Sequence, residues 1–441
     1  MEQRRKNLTQ LFIPICLETL LYMLSGMVDT LMHSSVNDQA VGAVGTANTY
    51  IGIFIIMFSV ISSGMVAVMT QNIGAGRPGV AYQARQLGLA FNAVLGIILS
   101  LILAFGAGTI LAGVGVADAL MQPARTYLQI VGGFCILNAL IPICSSYLRA
   151  FGFSKEPLYA SIIGNVINFC LNAFFLFVLH KGVAGVATAT VVSRIINLVI
   201  VVLLGAVLVK AKKHPERESN REVMGQIIRI GLPSACETAI YNVSMTLVIR
   251  FLNQMDAQGL NVTARSYTMQ ITNFSYCVGA ALAQANAIMT GWHIGAKEYD
   301  ACDRGTKKAA VIGVIVAVIL ETVFTLCSGW IMQLFSKDPQ MVSLVGKLLA
   351  IDIVLEIGRV TNLVYGQALK TSGDAVFPVV MGACFMILCS VGGTYLFGIR
   401  LGLLAVGAYI GMAGDECVRA IGMYLRWKSG KWKEKGLVKS R

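Results

Sequence analysis

The stretch Leu11 to Ser34, LFIPICLETLLYMLSGMVDTLMHS, constrains everything else in this chain. At ~1.5 Å per residue, a helix of this length crosses the ~30 Å hydrocarbon core of a bilayer. It is not apolar all round. Glu18, Tyr22, Ser25, Asp29 and His33 recur at steps of three or four residues, so on a helix they share one face. A carboxylate at mid-membrane costs about 2.5–3.5 kcal/mol on insertion scales. Glu18 and Asp29 therefore face protein or water, and the helix that carries them lines an interior.

The same opening returns downstream, where PICLETLLY at Pro14 to Tyr22 becomes PSACETAIY at Pro233 to Tyr241. Pro14, Glu18, Thr19, Tyr22 and Ser25 recur at Pro233, Glu237, Thr238, Tyr241 and Ser244. Further on, Thr46, Ala47 and Tyr50 recur at Thr263, Ala264 and Tyr267, and MTQNIGAG at Met69 recurs as MTGWHIGAK at Met289. LRAFGFSKEP at Leu148 recurs as LKTSGDAVFP at Leu369. The chain is a tandem duplication, and the lining helix opens each half.

Apolar runs fill both halves: 56% of residues are hydrophobic and only 13% charged, which excludes a soluble domain. Cutting at charged or Gly/Pro-rich breaks predicts twelve spans, near 11–33, 44–70, 86–112, 123–147, 157–179 and 184–209, then 226–252, 264–290, 309–334, 343–367, 377–398 and 402–426. The polar connector KAKKHPERESNREVMG separates two sets of six. The expected organisation is thus a first lobe over residues 1–209, a linker over 210–225 and a second lobe over 226–441 with a basic tail. Six spans per half give the repeats one orientation, a parallel-repeat arrangement used by transporters, with the substrate between the halves. Lys and Arg gather in alternate loops, from Arg4 to Lys6, through Lys210 to Arg221, to the tail from Lys428. This places both termini in the cytoplasm and makes the net charge of +13 a matter of topology rather than of nucleic-acid binding. MEQRRKN, followed at once by a full-length span, reads as an uncleaved first helix rather than a signal peptide. Eleven cysteines without paired spacing read as small buried hydrophobes, not as metal ligands.

The residues PICLETLLYMLSGMVDTLMHSSVNDQAVGAVG, GAGRPG, LRAFG, IGLP, LKTSGD and RWKSGKW, in that order and doubled, resemble the multidrug and toxic compound extrusion (MATE) family of the multidrug, oligosaccharidyl-lipid and polysaccharide exporter superfamily. The resemblance implies an all-α polytopic membrane protein whose twelve helices form two six-helix lobes in a V. It also implies an antiporter of the bacterial inner membrane, a monomer that exports drugs or organic cations in exchange for protons or sodium by alternating access. No cofactor and no enzymatic activity are implied. The alternative within the superfamily is a flippase for lipid-linked oligosaccharides, which needs several cations facing the cavity.

Candidate site residues follow from the charges inside spans. Asp29, in the VDT of the first helix, is the leading ion-coupling candidate, both as a lining carboxylate open to protonation and through the family's corresponding Asp. Glu18 and its repeat partner Glu237 are expected at matching depth in the two lobes, as a cation-attracting or gating pair or as structural carboxylates bonded to Tyr22 and Tyr241. Those tyrosines also offer cation–π faces. In the tenth span Asp352, Glu356 and Arg359 lie within two turns, and Asp415, Glu416 and Arg419 repeat the pattern in the twelfth, so a mixed-charge network in the second lobe is expected. The position aligned with the family's acidic ion ligand in the tenth span holds Arg359, so either Glu356 takes that duty or the second lobe has no ion site. If sodium is the coupling ion, Asp29 or Glu356 would hold it. Arg265 either repels cations or pairs with an acid.

Overall fold

The computed structural model describes residues 6–34, 38–113, 116, 118–210, 216–256, 258–333 and 335–438, and no strand occurs among them. The helices are α1 (Leu8–Ser34), α2 (Asp38–Gly74), α3 (Pro78–Gly113), α4 (Asp118–Tyr127), α5 (Ile136–Ala150), α6 (Lys155–Ala173), α7 (Gly182–Leu208), α8 (Asn220–Met255), α9 (Leu260–Gly295), α10 (Tyr299–Leu326), α11 (Ser328–Met332), α12 (Pro339–Thr371), α13 (Val376–Phe385) and α14 (Leu404–Lys428). α4, α6 and α13 run on into π-type turns at Leu128–Gly132, Phe174–Val178 and Met386–Val391. The chain divides into two compact units, Met1–Gly231 and Leu232–Arg441.

Among the described residues, seven helices are long and apolar enough to cross a membrane, and the bent pair Leu120–Gly132 with Ile136–Ala150 makes an eighth. The sequence predicts twelve. The four helices that fall short, α8, α9, α12 and α14, are all at least 25 residues long. They carry the charges and amides that lower the apolar score, among them Arg265, Asp352, Glu356, Arg359, Asp415 and Arg419.

Burial departs from the pattern of a soluble protein. Phe105 and Leu326 are 84% and 80% exposed, whereas Asn92, Glu321, Asp352 and Arg419 are buried. That is the pattern of a chain solvated by lipid, in which apolar side chains face outward and polar ones must be satisfied inside. In the first unit Asn92 donates to the carbonyls of Phe58 and Ala139, joining α2, α3 and α5. The residues leading into α8 are fastened to α3: Gln83 Nε2 donates to the Glu218 carbonyl at 2.7 Å and to Asn220 Oδ1 at 2.6 Å, and Arg77 pairs with Glu218 at 2.6 Å.

In the second unit α12 is the central helix, packed against α9, α10 and α14. Small residues let it approach closely. A Cβ on Gly358 would lie 2.7 Å from the Cys417 backbone nitrogen, and one on Gly313 of α10 would lie 2.6 Å from Val360 Cγ1. Asp256 accepts hydrogen bonds from the backbone nitrogens of Leu260 and Asn261 at 2.8 and 3.0 Å, covering the open N-terminus of α9. At the other end of the unit the tail folds back: Trp432 stacks on Trp427 at 4.1 Å, and Trp427 Nε1 donates to Asp303 Oδ1.

Gly358→Ala is therefore expected to force α12 and α14 apart, at a cost of about 1–3 kcal/mol. The expected readout is a lower unfolding temperature of the purified protein in detergent. Gly414→Ala, on the same pair of helices but with open space at its Cβ, should leave that temperature unchanged or raise it.

Candidate functional site

The two duplicated glutamates take the same kind of partner. Glu18 Oε2 of α1 accepts from Arg149 at the end of α5 at 2.6 Å, and its other oxygen accepts from Ser161 Oγ of α6 at 3.3 Å. Glu237 Oε2 of α8 pairs with Lys370 at the end of α12, also at 2.6 Å. Arg149 and Lys370 occupy the same place in the repeated LRAFG and LKTSGD motifs, so the pair itself is duplicated. Each glutamate is held inside its own unit by a base, rather than by Tyr22 or Tyr241. Tyr22 is 72% exposed, and Tyr241 is half-buried. Asp29 lies on α1, but its side chain is outside the described residues.

The charges of α12 and α14 converge in the second unit. Arg359 bonds Glu356 one turn before it and reaches Glu416 Oε1 at 3.7 Å. Arg419 spans both acids of α14, with Nε 2.9 Å from Asp415 Oδ1 and a terminal nitrogen 2.9 Å from Glu416 Oε1. Asn362 and Ser390 donate to Glu416 and Asp415 at 3.0 Å each. Along α14, then, the acids are well satisfied.

Behind that network lies a different cluster. Glu321 of α10 joins Asp352 and Glu356 of α12, with one carboxylate oxygen from each within 4.8 Å of the others and all three residues buried. Glu321 is fully buried, and among the described residues neither of its oxygens has a hydrogen-bond partner; Asp352 Oδ2 and Glu356 Oε2 also lack one there. Three carboxylates this close repel one another unless a cation or protons neutralise them. Arg359, bonded to Glu356, offsets one charge. The remaining oxygens form a donor set suited to a hard monovalent cation or to protons.

The trio belongs to the second half alone. The repeat offset is 221 residues at both Gly74/Gly295 and Leu148/Leu369, which matches Glu321, Asp352 and Glu356 to Ser100, Val131 and Cys135. Ser100 Oγ there accepts the backbone N–H of Ile136. Glu321 escapes the sequence reading because its helix is otherwise a plain apolar span. A lone acid inside such a run is the signal that marks it.

Asp352 also faces a cavity of about 210 Å³ within the second unit. This is far more than the ~10–15 Å³ that a single water occupies on such a measure. Tyr241, Tyr276 and Tyr409 line it with Met245, Met269 and Met412, while Arg265, Arg359, Asp415 and Glu416 supply charge. Tyr276 lies under the Arg359 guanidinium, 5.9 Å from ring centre to Cζ. Aromatic and thioether surface with a few charges is the usual lining of a small-molecule site.

The MatE family profile matches residues 14–174 and 233–396. The chain is 34% identical to the uncharacterized transporter YisQ of Bacillus subtilis, over 98% of this chain and 96% of that one. It is 23% identical to the probable multidrug resistance protein NorM of Thermotoga maritima, over 98% and 94%. Among solved structures it resembles an outward-facing multidrug resistance MATE transporter, with a TM-score of 0.86 at 18% identity covering 98% and 96% of the two chains. A second, a MATE protein in a straight conformation, gives a TM-score of 0.88 at 19% identity, covering 97% and 96%.

Because Glu237 pairs directly with Lys370, reversing that pair should restore what either single change breaks. Glu237→Lys or Lys370→Glu alone is expected to lower the unfolding temperature. The double reversal should recover most of the loss, giving a coupling of about 1–3 kcal/mol in a double-mutant cycle. Additive losses would mean that the two side chains act separately.

Proposed function

Since the chain belongs to the MatE family of membrane transporters, we propose that it is a cation-coupled antiporter exporting drugs or organic cations by alternating access. The reading rests on one observation above the rest: a buried, under-satisfied acidic trio that shares Asp352 with a ligand-sized cavity. A proton or sodium ion at Glu321, Asp352 and Glu356 and a cationic group in the cavity draw on the same charge. Binding of one therefore disfavours the other, which is the thermodynamic requirement for exchange. Asp29 joins this scheme through the matching VDT of the family's first helix.

Twelve spans support the same reading, counted as the seven apolar helices, the bent pair and the four charged helices of at least 25 residues. An even number agrees with two cytoplasmic termini, and the parallel repeat with two six-helix lobes, a V-shaped arrangement and a monomer in the inner membrane. Glu18 and Glu237 act as braces within their lobes, through Arg149 and Lys370. A lipid-linked sugar flippase calls for a cluster of cations around a diphosphate. The cavity instead lines two arginines against three acids.

Uptake of a fluorescent organic cation into proteoliposomes, with pH and sodium gradients imposed separately, tests the proposal. One gradient should drive uptake, and Glu356→Gln should cut it by about tenfold or more with the fold intact. Asp29→Asn should cut it likewise. No driven uptake under either gradient would overturn the antiporter reading, and uptake indifferent to Glu356→Gln would remove the trio from it.

A further inference from the structure

Arg265 of α9 is 6% exposed and faces the cavity of the second unit. No carboxylate among the described residues pairs with it. Among the described residues its one hydrogen bond runs from a terminal guanidinium nitrogen to Met245 Sδ at 3.8 Å, a weak acceptor, and its Nε has no partner. A guanidinium lining a cavity with no acid beside it is left to be satisfied by whatever fills that cavity, and a carboxylate does so better than a thioether. The other arginine of the cavity is different, since Arg359 is bonded to Glu356 and reaches Glu416. The acids of the α14 network are likewise taken, by Arg419, Asn362 and Ser390.

Two lining charges therefore remain open, one of each sign. Arg265 and Asp352 both line the cavity, and among the described residues Arg265 bonds only Met245 Sδ while Asp352, 2% exposed, has an oxygen that no donor reaches. Arg265 is also specific to this half: its position in the TA-x-x-Y repeat, Thr263 to Tyr267 against Thr46 to Tyr50, holds Asn48 in the first. A planar guanidinium with free N–H groups is shaped for a carboxylate, which it binds through two parallel bonds.

We infer that the second-unit cavity is a subsite for a zwitterionic ligand, with a carboxylate of the cargo on Arg265 and its cationic group toward Asp352. This builds on the exporter reading and narrows its substrate class, from organic cations at large to molecules that carry an acid as well. A purely cationic compound leaves Arg265 unpaired in the bound state and gains nothing from it. A zwitterion satisfies both open charges at once, and each of its own charges meets an opposite one in the cavity, which offsets the cost of desolvating them.

The test is equilibrium binding to the purified full-length protein in detergent, read by fluorescence polarisation. The probes are rhodamine B, a zwitterion, and its ethyl ester, the same dye with the carboxylate masked. The wild-type protein is expected to prefer rhodamine B by about tenfold. Arg265→Gln should collapse that ratio toward one, and Arg265→Lys, which keeps the charge but not the fork, should leave it in between. If Arg265→Gln does not yield folded protein by circular dichroism and gel filtration, the wild-type ratio together with Arg265→Lys decides. Equal affinity for the two dyes, or a ratio unmoved by substitution of Arg265, overturns the subsite while leaving the exporter reading in place. Tighter binding of fluorescein, an anion lacking the cationic group, overturns the zwitterion in favour of an anion. Failure of the wild-type protein to bind either rhodamine overturns the subsite and counts against drug export as well.

Discussion

A charge inside a bilayer must find its partner within the protein, because no solvent there will supply one. Much of the second unit's interior follows from that constraint. α12 and α14 place Asp352, Glu356, Arg359, Asp415, Glu416 and Arg419 in their buried parts, and the two helices pack face to face with Gly358 against Cys417. The close approach brings Arg359 and Arg419 within reach of Glu416 at once. Such a network is poor evidence of added stability, since well-packed apolar side chains of the same volume often do as well. Its importance lies in what it leaves over. After the pairs on α14 are made, both oxygens of Glu321, one each of Asp352 and Glu356, and the Nε of Arg265 still lack hydrogen-bond partners among the described residues.

The first unit solves the same problem with neutral groups. Asn92 joins three helices through backbone carbonyls, and Ser100 takes the place that Glu321 holds in the second. The braces at Glu18 and Glu237 are the shared part. They tie the opening helix of each unit to the end of a later helix by a single ion pair, with 11% to 16% side-chain exposure on every partner. Water has little access to such pairs, which makes them stiffer than a surface salt bridge.

Much of this was legible in the sequence. The duplication, the helical class and the convergence of charges on the tenth and twelfth spans all follow from spacing, because i to i+4 steps fix which side chains share a face before any packing is known. The partners of Glu18 and Glu237 were in view as well. Arg149 and Lys370 stand at matched positions, but near helix ends they read as topology markers, and sequence distance concealed that the chain returns them to α1 and α8. Glu321 was missed because periodicity describes a helix's own faces and not which neighbour it meets. Arg265 could not be decided since an unpaired cation and a paired one have the same sequence. Whether an acid lies opposite is a property of the packing.

The matched braces also carry a historical reading. A contact present in both halves, Arg in one and Lys in the other, is older than the join between them. The ancestor was a chain of half this length, and one copy would have had to assemble with another to make what a single chain now contains. Fusion released the halves from identity. Acids and a lone guanidinium, which a symmetric pair of subunits would have had to place twice, can then stand in the second where the first has serine, valine, cysteine and asparagine.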